Sequence, residues 1–154
     1  MWATTPSPGP STTPDPTFAQ LLEESIQDEL SDVQFYANIA NEAPDALSRI
    51  LITSIVGDEY AHARTQAALL HALNPDSAGG TPVAPPPNVG YTADVMTAIV
   101  GETSAVNRYA FLASIAPNLE IRYILTSILG DEYGHIRTWL ALLQDATAAT
   151  SATN

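Results

Sequence analysis

The sequence predicts an all-α protein: a four-helix bundle made of two repeated helical hairpins joined by a long Pro-rich crossover. Three observations carry that prediction. Apolar residues recur at helical spacing in four stretches, and no stretch shows sustained period-two alternation. The second half of the chain repeats the first at a constant offset of 73 residues, so Leu22–Leu73 lies over Val95–Ala146 without a gap. Between the repeats stands "NPDSAGGTPVAPPPNVG", residues 74–90, which has the composition of neither helix nor strand.

The elements follow in order. Residues 1–16 hold five prolines among Ser and Thr and are expected to be a disordered tail. The bundle is expected over 17–147, with repeat one at 18–73, the crossover at 74–90 and repeat two at 91–146. Thr17 with Gln20 reads as a capping box, with Pro16 just outside it. Leu21, Leu22, Ile26, Leu30, Val33, Tyr36, Ala37 and Ala40 then recur at helical spacing. "EAPDAL" ends this first helix, because Pro44 suits the first turn of a new one. The second helix runs to about Leu73 and stops at "NPDSAGG". Repeat two follows the same plan from about Thr92, turns at Ala116–Leu119 ("APNL") and continues to about Ala146. Residues 148–154 are expected to fray. A bundle whose two hairpins share one direction is expected to need a long link along its flank. Seventeen residues of polyproline II cover about 50 Å, and a 28-residue helix is about 42 Å long. The link is long enough.

Composition narrows the function. The 154 residues carry 17 acids against five bases, all arginine, for a formal charge of −12, which argues against nucleic acid and anionic membranes as partners. No apolar run reaches the length of a bilayer, and "MWATTPSPGPSTTPDP" has neither the basic residue nor the apolar core of a secretory signal. Cysteine is absent, which excludes disulfides, thiolate metal sites and a Cys nucleophile, and a cytoplasmic location is expected.

The chemistry lies in a motif written twice: "GDEYAH" at 57–62 and "GDEYGH" at 130–135. Residues three apart share a helix face, so Glu59 with His62, and Glu132 with His135, each present an oxygen and a nitrogen to one point. A further Glu precedes each pair by thirty residues, Glu29 before Glu59 and Glu102 before Glu132, and each falls among apolar neighbours. Thirty residues with a tight turn bring the chain up one helix and back to the same height on the next. Duplication then sets two half-sites face to face. Four carboxylates in an apolar bundle are expensive unless neutralised, and two divalent cations would neutralise them.

This paired pattern resembles the ferritin-like di-iron carboxylate superfamily, and most of all its rubrerythrin-type branch without the rubredoxin module, over about residues 18–146. The resemblance implies Glu29 and Glu102 as terminal ligands, Glu59 and Glu132 as bridging carboxylates, and His62 and His135 as terminal imidazoles. It implies two Fe ions, with Mn or Zn also suited to a carboxylate–imidazole donor set. The activity implied is reduction of H2O2 or O2, as a peroxidase or ferroxidase. Iron storage or handling, a metal-clamped structural protein and a di-manganese catalase are the alternatives. A cysteine-free chain must take electrons from an external donor, and a homo-oligomer is compatible with the pattern. Typical rubrerythrins carry another carboxylate where this chain has Ala105.

Residues around the motif repeat as well. Asp58 and Asp131 each precede a bridging Glu, where a carboxylate can accept the free N–H of the opposite unit's His. Tyr36 and Tyr109 follow Glu29 and Glu102 by seven residues, as hydrogen-bond donors to a ligand carboxylate or as core aromatics. Asp32, whose repeat partner is Ala105, is either an extra oxygen or proton relay, or a solvent-facing acid. His71 suits a helix C-terminus, and Trp139, Tyr60 and Tyr133 read as packing residues. Arg49, Arg64, Arg122 and Arg137 read as salt-bridge partners.

Overall fold

The structure is a computed structural model and describes residues 17–77 and 83–152. The expected tail, residues 1–16, and the middle of the crossover lie outside the described residues. Four helices form: α1 (Phe18–Glu42), α2 (Ala46–Leu73), α3 (Tyr91–Ser114) and α4 (Leu119–Ala152), with no strand among the described residues.

Each helix start has a local cause. Thr17 and Gln20 make the full capping box at α1. At α2 the cap is Asp45, not the proline before it: its carboxylate accepts from the Ser48 N–H at 2.9 Å, and Pro44 stays outside the helix. Asn118, the repeat partner of Asp45, does the same for Ile121 N–H at 2.9 Å. The arginines after these caps are not the ion-pair partners expected from the net charge. Nε of Arg49 donates to the carbonyl of Ala40 and Nε of Arg122 to that of Ala113, tying each tight turn to the helix before it. α4 continues to Ala152, beyond the end near Ala146 and across most of the segment expected to fray. "TAATSA" contains no Gly or Pro to stop a helix.

α1 packs along α2 and α3 along α4, and slighter contacts join α1 to α3 and α2 to α4. Two apolar clusters fill the interior. One joins Tyr36 and Ile39 of α1 to Ile52 of α2, Val95 and Ala98 of α3, and Trp139 of α4. The other joins Leu22 and Ile26 of α1 to Leu70 of α2, Tyr109 and Leu112 of α3, and Leu125 of α4. The C-terminal half of α1 therefore meets the N-terminal half of α3, so the two hairpins point in opposite directions. This corrects the expectation that they share one. With a shared direction the end of α2 would lie beside the start of α3 and a short loop would serve. Opposed hairpins need a connection that climbs the bundle. Its last residues dock on α3: the fully buried Asp94 carboxylate accepts from Asn88 Nδ2, Val89 N–H and Gly90 N–H at 3.0–3.2 Å, with Gly90 at φ 121° where a side chain would be strained. We expect Asp94→Ala to lower unfolding stability by about 2 kcal/mol, read by denaturant titration. A change within 0.5 kcal/mol would show that this junction does not hold the second hairpin.

No helix is long and apolar enough to cross a membrane among the described residues. Between the two apolar clusters, at mid-height, the interior turns polar.

Candidate metal centre

Glu29, Glu59, His62, Glu102, Glu132 and His135 all meet in this polar layer, each no more than 5% exposed. One residue comes from α1, two from α2, one from α3 and two from α4. They form two groups of four: Glu29, Glu59, His62 and Glu132, and then Glu59, Glu102, Glu132 and His135. The donor atoms within each group all lie within 4.8 Å of one another. Glu59 and Glu132 belong to both.

The imidazoles point the same nitrogen inward. Nδ1 of His62 lies 3.1 Å from Glu132, 3.2 Å from Glu59 and 3.7 Å from Glu29. Nδ1 of His135 lies 2.9 Å from Glu59, 3.5 Å from Glu132 and 3.6 Å from Glu102. The outer nitrogens turn to the opposite repeat, Nε2 of His62 to Asp131 and Nε2 of His135 to Asp58, both at 3.4 Å. A carboxylate there can accept from Nε2–H, the arrangement that turns Nδ1 to the centre.

Close as they are, these groups are poorly matched as hydrogen-bond partners. Glu29 Oε2, Glu59 Oε1, both oxygens of Glu132 and Nδ1 of His135 make no aligned hydrogen bond. Buried polar atoms are rarely left so, and five of them converging on one point is what a pair of cations would satisfy. The oxygen-rich set with one imidazole per group fits Fe, Mn or Zn.

Electrostatics agree. Burial works against charge on His62, yet Glu132, Glu29 and Glu59 outweigh it and push its pKa up to about 12. Glu102, Glu132 and Glu59 likewise hold His135, against its burial, well above the usual imidazole range. Burial raises Glu59, and raises Glu102 to about 7. Glu132 is raised by burial but drawn down further by His135 and His62, to about 2. Glu59 and Glu132 face the same two imidazoles.

Glu29 and Glu102 are held differently. Tyr109 of α3 donates its hydroxyl to Glu29 Oε1, and Gln66 Nε2 of α2 donates to the Tyr109 oxygen at 2.6 Å. On the other side Trp139 Nε1 donates to Glu102 Oε1 at 2.9 Å. Tyr36 packs on the Trp139 ring at 4.9 Å between centroids. Burial, then Asp32 and Glu102, raises the Tyr36 phenol, and burial with Glu29 raises that of Tyr109. Both stay protonated. Trp139 and Gln66 were not anticipated in these roles. Their signal was present: they are repeat partners, each four residues past its His, on the same helix face.

Asp32 is not a surface acid. It lines a cleft of about 180 Å³ between α1 and α3 with Asp28, Glu29, Gly101, Arg108 and Pro86 of the crossover. Burial first, then Glu29 and Glu102, raises it to about 8. Asp28 and Arg108 pair at the same cleft. His71 lies exposed in the last turn of α2. Tyr60 and Tyr133 are 52% exposed and so are not core packing residues.

Comparison with known proteins places the architecture. No family model matches the chain, and no curated protein matches it. Among solved structures it is similar to a hypothetical protein from Pyrococcus furiosus, at 18% identity over 84% of this chain and 90% of that one, with a TM-score of 0.75. It is also similar to a dodecameric thioferritin, a bacterioferritin-related protein from Bacteroides fragilis, at 18% identity over 88% and 89%, with a TM-score of 0.60. The fold is that of a ferritin-like four-helix bundle.

Proposed function

We propose that the chain is a di-iron carboxylate oxidoreductase that reduces H2O2 or O2, as a rubrerythrin-type peroxidase or a ferroxidase. The observation that supports this most is the pair of buried, mutually facing donor groups that share Glu59 and Glu132 and contain five atoms no hydrogen bond satisfies. Glu29, Glu59, His62 and Glu132 would hold one ion and Glu102, Glu59, His135 and Glu132 the other. A pair of Fe(II) ions would supply two electrons to an O–O bond.

The chain's own residues set the conditions. The apolar clusters above and below keep the layer dry. Asp131 and Asp58 hold the imidazoles in the ligating tautomer. Asp32, raised to about 8, carries a proton at neutral pH in the cleft beside Glu29 and is suited to give it to a developing oxyanion. Electrons come from an external donor or from free Fe(II), because the chain has no cysteine to bind a redox centre. Manganese or zinc fits the same donors. The B. fragilis neighbour, named as dodecameric, favours a homo-oligomer here and keeps iron handling as the second reading. A cytoplasmic location remains part of the proposal.

Stopped-flow mixing of the di-ferrous protein with H2O2 or with O2 separates the readings. We expect faster oxidation by H2O2; equal rates would point to a ferroxidase instead of a peroxidase. No oxidation faster than free Fe(II) would refute the enzyme reading. Asp32→Asn is expected to slow the H2O2 reaction by about 100-fold with two ions still bound.

A further inference from the structure

The two ion positions come from one duplicated motif, yet the chain surrounds them differently. Gln66 and Trp139 occupy the same place in the two repeats, and both are fully buried. Gln66 reaches Glu29 only through Tyr109, by a chain of two hydrogen bonds. Trp139 passes over Tyr36 and bonds Glu102 directly. An indole N–H donates and never accepts, so Glu102 Oε1 is fixed as an acceptor and Oε2 is left for an ion.

Access is unequal in the same sense. The cleft between α1 and α3 has Glu29 in its wall. A second cavity of about 350 Å³ lies between α2 and α4 and has His62 in its wall, with Asp58, Asp131, Thr65 and Tyr123. Neither is lined by Glu102 or His135. Both cavities touch the Glu29–His62 position, whereas the fully buried Trp139 and Tyr36 stand beside Glu102. A reactant needs a path to its ion, and an ion without one is slower to leave.

Resting on the dinuclear reading above, we infer that the two positions have separate tasks. The Glu29–His62 position exchanges its ion and meets the small oxidant. The Glu102–His135 position retains its ion, with Trp139 as the positioning residue that makes it retentive.

The test is a chelator challenge of protein loaded with two Co(II) per chain. Release is followed by cobalt absorbance, and anomalous diffraction from chelator-soaked crystals identifies the ion that remains. We expect one fast and one slow phase, with residual density between Glu102 and His135. Trp139→Phe keeps an aromatic ring but removes the indole N–H. It is expected to speed the slow phase by about 10- to 100-fold and leave the fast phase unchanged. In a Glu102→Gln background the same change should add nothing. A general loosening of the bundle would accelerate both phases in either background, and that result overturns the assignment. So do equal release rates, or retention at the Glu29–His62 position, while leaving the dinuclear reading intact. A chain that binds fewer than two ions overturns both.

Discussion

Glu59→Ala, or equally Glu132→Ala, is expected to remove both ions from the chain. Each residue contributes an oxygen to both groups of four, so truncating one leaves each group with three donors, and the remaining shared carboxylate must serve two cations. Glu29→Ala and Glu102→Ala delete a donor from one group only and are expected to cost one ion. Mass spectrometric metal analysis after equilibration with Fe(II) reads this as two ions per chain falling to none or to one. Two ions retained in Glu59→Ala or Glu132→Ala would show that the assignment of bridging residues is wrong.

Ion binding is expected to weaken steeply as pH falls, and to expel protons. The sign follows from the cluster itself. His62 is raised to about 12 and His135 is raised as well, so both rings are charged at pH 7 without cations. A ligating imidazole must be neutral. Each ring therefore releases its proton to the solvent as the ion binds, and burial keeps part of a further proton on Glu59 and Glu102. One displaced proton per ion makes the affinity for each ion fall by about 10-fold per pH unit, and the product for the pair by about 100-fold. Titration calorimetry with Mn(II) in buffers of different ionisation enthalpy measures the number released. A value near zero would mean that the histidines lie outside the coordination sphere.

The sequence made the architecture readable because the repeat and the four apolar stripes report the same periodicity twice. Thr17 with Gln20 marked one helix start by side-chain chemistry alone. The meeting of six residues was readable too, since a thirty-residue return fixes height in a hairpin. The direction of the second hairpin was not. Helical periodicity carries no information on which end of a helix a partner approaches, and only the clusters joining Tyr36 with Val95, and Ile26 with Tyr109, decide it.

Around the centre, legibility stopped at residues whose role depends on rotation about the helix axis. Trp139 has the composition of a core residue and is one, but its indole edge is aimed at Glu102. Asp32 sits one turn beyond Glu29, which places it on the right face but cannot say whether the facing helix leaves a gap. It does, because its neighbours across the cleft include Gly101 and Ala105. Arg49 and Arg122 were misread because charge counts anticipate ion pairs, whereas a guanidinium beside a helix C-terminus finds unpaired carbonyls first.

The most direct test is anomalous diffraction at the iron edge from anaerobic, Fe(II)-loaded crystals. Two peaks per chain are expected, both flanked by Glu59 and Glu132, with one beside His62 and the other beside His135. A single peak, or iron found only at the acidic surface, would contradict a dinuclear centre in this bundle.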